Sequence, residues 1–171
     1  AAKVLSDGIK DAKGALAKLN LSGNNNSAST YEQDRKNSPG FIRPIARMLK
    51  ANTSITDLNL SGNNLNAEAA KILSEDIQDN GALAKLDISS NNTGAGCIPN
   101  SPNFIKPIAS MLKTNTSITE LNLSNNSLNA EAAKILAEDI QDNGALVTLD
   151  ISKNLLGPEG AKHLAPALEN W

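Results

Sequence analysis

The stretch "SITDLNLSGNNLNAEAAKIL" fills positions 54–73, and 63 residues later positions 117–136 read "SITELNLSNNSLNAEAAKIL". Extending the comparison in both directions aligns residues 38–91 with 101–154 without a gap, and only 11 of the 54 pairs differ. The chain contains an internal duplication, so the fold has to be repetitive.

A shorter period lies inside the duplicated block. The pattern L-x-x-L-x-L-x-x-N, with isoleucine replacing leucine at some positions, begins at Leu16, Ile55, Leu83, Ile118 and Leu146. Its central apolar pairs are Leu19 and Leu21, Leu58 and Leu60, Leu86 and Ile88, Leu121 and Leu123, and Leu149 and Ile151. Alternate residues of an extended chain share a face, so each copy predicts a short strand, near 18–22, 57–61, 85–89, 120–124 and 148–152.

A helix is expected after each asparagine that closes the pattern, most clearly over 66–79. There Asn66 is a capping residue, Ala70, Leu73 and Ile77 fall on one stripe, and Asn80-Gly81 reads as a helix C-terminus. The intervals from Leu19 to Leu58, Leu86, Leu121 and Leu149 are 39, 28, 35 and 28 residues. The two long intervals carry "NNSASTYEQDRKNSPG" (25–40) and "NTGAGCIPNSPN" (92–103), which are predicted to bulge as loops where strand passes to helix. Those loops hold Tyr31 and Cys97. Pro44 and Pro107 are expected in the first turns of the following helices, and Phe41 and Phe104 as loop anchors packed beneath them.

Five copies of this pattern, each leading into a helix in a unit of about 28 residues, resemble the leucine-rich repeat family over essentially the whole chain. The helical length is similar to that of the ribonuclease-inhibitor-like branch, which includes the ligand-sensing ends of NOD-like receptors and the Ran GTPase-activating protein. The resemblance implies an α/β solenoid: a right-handed β-α superhelix with a curved parallel sheet on its concave side and helices on its convex side. Physics leads to the same stack, because one strand-plus-helix unit cannot enclose its own apolar side. Helices about 10 Å wide beside strands spaced about 4.8 Å apart compress the sheet face and curve the array. The chain reads as a single domain over 1–171. Residues 1–14 match the helix at 69–81, and "GPEGAKHLAPALENW" stops where the next strand would begin, so the ends read as those of an excerpt from a longer array.

Repeated positions define two residue sets. Asn24, Asn63, Asn91, Asn126 and Asn154 close the five patterns, and amides stacked at that turn are expected to form a structural ladder that satisfies unpaired backbone groups. Lys18, Asn20, Asp57, Asn59, Lys85, Asp87, Glu120, Asn122, Thr148 and Asp150 alternate with the core leucines, so they are expected on the concave wall. The serines at 22, 61, 89, 124 and 152 extend it. Such walls are recognition surfaces in the resembled family, which makes these ten residues the candidates for binding a partner protein, with the two long strand-to-helix loops as the second candidate surface.

Composition narrows the alternatives. A formal net charge of −2 gives no general attraction to nucleic acid or an anionic membrane, and the four aromatic residues Tyr31, Phe41, Phe104 and Trp171 offer little for base stacking. The single cysteine, Cys97, excludes an internal disulfide framework, and with no leader or membrane-spanning run the reading is cytoplasmic. The sole histidine, His163, lies on the last predicted helix, two units from Cys97, which excludes a Cys/His dyad and leaves no metal-ligand spacing. No enzyme activity and no cofactor are expected. Two rivals to the binding scaffold are a GTPase activator resembling the Ran activator, for which no arginine recurs at the strand-to-helix edge, and a structural spacer or array that self-associates through uncapped ends.

Overall fold

The computed structural model describes residues 2–11, 16–24, 31–93 and 101–169. Helices and strands alternate: α1 (Ala2–Asp11), β1 (Lys18–Asn20), α2 (Tyr31–Ala51), β2 (Asp57–Asn59), α3 (Ala67–Ile77), β3 (Lys85–Asp87), α4 (Ser101–Leu112), β4 (Glu120–Asn122), α5 (Ala130–Ile140), β5 (Thr148–Asp150) and α6 (Gly157–Leu168). The strands form one parallel sheet in sequence order, with Leu19, Leu58, Leu86, Leu121 and Leu149 paired in a single register line. Each helix packs on its sequence neighbours, so the chain is the α/β solenoid that the repeat implied.

Three-residue strands replace the five-residue ones expected, because the backbone soon reverses. Gly23, Gly62, Ser90, Asn125 and Lys153, each immediately before a ladder asparagine, adopt φ of 66°, 64°, 55°, 54° and 55°. That left-handed kink turns the chain out of the sheet, and three of the five residues that make it carry a side chain. Backbone pairing continues past the strand limits, as in the bonds from Leu60 N–H to Asp87 C=O at 2.8 Å and from Gly62 N–H to Ser89 C=O at 3.0 Å.

The core lies between sheet and helices. Leu58, Leu60, Leu86, Ile88, Leu121 and Leu123 are buried from the strand side, while Ile45, Leu49, Leu73, Ile77, Leu112 and Ile140 meet them from the helices. Each such side chain contributes about 1.5–3 kcal/mol by leaving water. Burial relaxes at β5, where Leu149 and Ile151 are only half-buried, as nearest-neighbour stacking requires. Asn66 caps α3 by accepting from Ala69 N–H at 2.9 Å, and Asn129 caps α5 through Ala132 N–H at the same distance.

Five local expectations need correction. Most of the first predicted loop is helix, since α2 begins at Tyr31, seven residues before Ser38, the counterpart of the first residue of α4. The run "YEQDRK" consists mostly of helix-favouring residues, and this outweighs the Ser, Pro and Gly after it. In the second predicted loop, residues 101–103 already belong to α4, and Cys97 lies outside the described residues. Pro44 and Pro107 sit inside their helices rather than in the first turn. Phe41 and Phe104 are helix residues: Phe104 is fully buried, and Phe41 is partly buried against the same core. Gly81 has no left-handed cap conformation; the backbone N–H of Asn80 donates to Ile77 C=O at the end of α3, and its side chain holds the turn that follows, as described below.

Candidate functional site

The in-register sheet arranges the outward residues in rows. Lys18, Asp57, Lys85, Glu120 and Thr148 make the first row, and Asn20, Asn59, Asp87, Asn122 and Asp150 the second. Thus all ten wall candidates share one face, flanked by the serines of the third row.

The first row alternates in charge and pairs with itself. Lys18 Nζ lies 3.6 Å from Asp57 Oδ2, and Lys85 Nζ lies 2.6 Å from Glu120 Oε1. The bond to Glu120, reinforced by that carboxylate's field and by Asp57, raises the Lys85 ammonium above its ordinary value against a small desolvation effect. Both pairs are solvent-exposed, so they orient side chains more than they stabilise the fold.

Second-row side chains have a structural duty that sequence reasoning missed. Oδ1 of Asn20, Asn59, Asp87, Asn122 and Asp150 accepts from the N–H two residues on, that of Ser22, Ser61, Ser89, Ser124 and Ser152, at 2.8–2.9 Å. Only an acceptor is needed there, which explains why Asn and Asp alternate freely at this position. For Asp150 the Ser152 N–H, then the Ser152 hydroxyl, and more weakly Lys153 hold the carboxyl below the ordinary aspartate range. A hollow of about 290 Å³ opens over β2–β5. Four carboxylates (Asp57, Asp87, Glu120, Asp150) and one ammonium (Lys85) line it, an excess of three negative charges against −2 for the whole chain. The hollow is therefore a local patch of negative potential on this face.

Behind the wall, the pattern-closing asparagines bond from unit to unit. Oδ1 of Asn63, Asn91, Asn126 and Asn154 accepts from the backbone N–H of Asn24, Asn63, Asn91 and Asn126 in turn, at 2.7–2.9 Å. Their amide groups donate to carbonyls of their own and the preceding unit; Asn91 Nδ2 reaches Leu60 C=O at 3.0 Å and Ile88 C=O at 2.9 Å. Asn63, Asn91 and Asn126 are fully buried, whereas Asn24 at the end of the row is exposed.

A second asparagine row, not foreseen, borders the opposite edge of the sheet. Asn52, Asn80, Asn115 and Asn143 each stand three residues before the first apolar residue of a pattern. Oδ1 of Asn80 accepts from Ala82 N–H at 2.9 Å and Leu83 N–H at 2.8 Å, while its Nδ2 donates to Leu49 C=O at 2.6 Å and Asn52 C=O at 3.0 Å. Asn115 and Asn143 repeat the arrangement. The sequence did carry the signal: these four asparagines recur at intervals of 28, 35 and 28, those of the strands.

A family model described as Leucine Rich repeat matches residues 51–74, 114–137 and 145–165. The chain is a leucine-rich repeat protein. The match is to the repeat itself and not to any branch of the family. Among solved structures, this leucine-rich repeat chain is similar to the tropomodulin C-terminal domain of Caenorhabditis elegans, at 18% identity over 98% of this chain and 91% of that one, with a TM-score of 0.70. It is also similar to leiomodin-1 actin-binding site 2, at 16% identity over 96% and 88% of the two chains, with a TM-score of 0.67. At such identities the likeness is one of fold. No curated protein sequence matches the chain.

His163 is exposed on α6 of the leucine-rich repeat array. Among the described residues no three His, Cys, Asp or Glu side chains gather in a metal-binding arrangement, and no helix is long and apolar enough to cross a membrane.

Proposed function

We propose that this leucine-rich repeat domain is a protein-binding module whose partner docks on the concave sheet face. The observation that carries the reading is the register of five strands, which presents rows of polar side chains already held by their own hydrogen bonds and ion pairs. A partner meeting such a face loses little to side-chain ordering. The wall is only about 20 Å wide and has no aromatic anchors, so affinity arises from complementary polar contacts spread over it. Its surplus of carboxylates favours basic side chains on the contacting surface of the partner. Leiomodin-1 actin-binding site 2, a domain of the same fold, makes actin the first partner to test.

The test uses Glu120→Arg with Thr148→Arg, first-row substitutions that leave every second-row turn bond in place. Co-sedimentation with actin filaments, and affinity capture from host extract if actin is not bound, should lose the partner while the thermal unfolding midpoint stays within about 2 °C. Undiminished capture of the same partner by the folded variant would remove the wall from the interface.

A further inference from the structure

A second surface lies on the helical side, where the duplication has produced two grooves of the same construction. One of about 470 Å³ runs between α3 and α4 and includes Asn103, Lys106, Pro107, Ser110 and Met111. The other, of about 400 Å³, runs between α1 and α2 and includes Gly40, Arg43, Pro44, Arg47 and Met48, which are the same five positions one duplication earlier. A mid-helix proline explains why both form. Pro44 and Pro107 supply no N–H to the carbonyl four residues before, so those of Gly40 and Asn103 lack their helical partner and remain acceptors for an incoming group.

Shape is shared and charge is not. In the α3–α4 groove Glu68 and Glu75 offset Lys71 and Lys106. In the α1–α2 groove the one carboxylate among the described residues, Asp7, is held by Lys3 at 2.6 Å, which leaves Arg43 and Arg47. Neither arginine takes part in an ion pair among the described residues, and both are exposed. Three of the 11 differences between the duplicated blocks, at 40/103, 43/106 and 47/110, fall on this groove.

We infer that the groove between α1 and α2 docks an acidic helical segment of a partner protein, one turn of which places two carboxylates against Arg43 and Arg47 and an apolar side chain over Met48. Arg43 and Arg47 stand four positions apart on one helix, about 6 Å between their Cβ atoms, and carboxylates at i and i+4 of a partner helix have the same separation. Guanidinium groups bind carboxylates through two parallel hydrogen bonds, so the match is of geometry as well as charge. The hollow beside the buried Met48 admits an apolar side chain, which a flat anionic membrane does not supply.

The probe is a fluorescein-labelled helical peptide with glutamates at i and i+4 and leucine at i+3, followed by anisotropy at about 50 mM salt. Its controls are a peptide with glutamine for glutamate and one of equal charge with the glutamates at i and i+2. The chain itself supplies the variant, Arg43→Lys with Arg47→Ser, whose residues already occupy the matched positions of α4 and should leave the unfolding midpoint unchanged. The expected result is measurable binding that weakens about tenfold in this variant and in both control peptides, the sum of two exposed charge-assisted pairs. Equal affinity for the i, i+2 peptide, an unaffected variant, or no binding at millimolar peptide overturns the inference. So does binding to vesicles containing phosphatidylserine in the absence of peptide binding, which assigns the arginines to a membrane surface. Because Arg43 and Arg47 are on the helical side, failure here leaves the concave-face reading intact, and failure of the wall variant leaves this one intact.

Discussion

Oδ1 of Asn91 accepts a hydrogen bond from the backbone N–H of Asn63 at 2.8 Å across 28 residues of chain, and Asn91 N–H donates in turn to Asn126 Oδ1 at 2.9 Å. The residue thus joins three consecutive units, its N–H reaching the one after and its buried side chain the one before. Removal of that side chain leaves several backbone groups without partners in a place that water does not reach, so Asn91→Ala is expected to cost about 1–3 kcal/mol in a urea titration. Asn24→Ala, at the exposed end of the same row, should stay within about 0.5 kcal/mol. Equal losses at the two positions would contradict a burial-dependent ladder.

Asn80 performs the matching task at the other edge. Asn80→Ala should destabilise by a similar amount, about 1–3 kcal/mol. Asn80→Asp keeps the acceptor for Ala82 and Leu83 but loses both donors, so it should rescue little. Native-state hydrogen exchange reads this locally: the amides of Ala82 and Leu83 should exchange faster in the alanine variant and stay protected in the aspartate one.

Two glycines on helices should respond in opposite directions to alanine. A Cβ on Gly160 of α6 would stand 2.9 Å from Leu156 Cβ and 3.2 Å from Ala133 Cβ, at the close contact between α5 and α6. Gly160→Ala should therefore cost about 1–3 kcal/mol despite the better helix propensity of alanine. At Gly8 of α1 nothing lies within 4 Å of such a Cβ, and Gly8→Ala should stabilise by about 0.5–1 kcal/mol. Calorimetric midpoints moving apart would confirm the pair of assignments, and a shift in the same direction would refute one.

Asp150 ties the wall to pH. Its folded-state carboxyl titrates below the ordinary value of 3.8 because Ser152 bonds the charged form. A depressed folded value means a contribution that is full above the unfolded value and fades as pH falls through the folded one. The loss therefore falls below about pH 4. The group is largely exposed, so the effect is small. Asp150→Asn, which retains the acceptor for Ser152 N–H, should flatten the acid limb of the stability profile slightly and leave neutral stability unchanged. Carboxyl-resolved NMR titration should place Asp150 among the more acidic aspartates, and a midpoint above 3.8 would refute the role of the Ser152 bond.

Much of this was legible in the linear text. The five strands, their parallel order and the placing of the ten wall residues on one face follow from alternation within a 28-residue unit, because side-chain direction has period two and stacking has the period of the unit. Asn66 was readable as a cap for a similar reason, its partner being three residues away. The Asn52 to Asn143 row was present as a regular interval and went unread, since those residues lie outside the leucine pattern. Local punctuation misled at 31–44. Pro44 is half-buried within α2, where packing against neighbouring helices sustains a helix that isolated propensity would end.

What the sequence determined by itself is the repeat and therefore the layering: one apolar side per unit, which only a neighbouring unit can cover. Tertiary structure alone decided how the residues of different units meet. It set Lys85 against Glu120, joined Asn63 to Asn91, and opened grooves at Pro44 and Pro107 that different helices complete. Such partners are 26 to 39 residues apart or lie on separate elements, and no period in the chain specifies the distance between two side chains until the stack has formed.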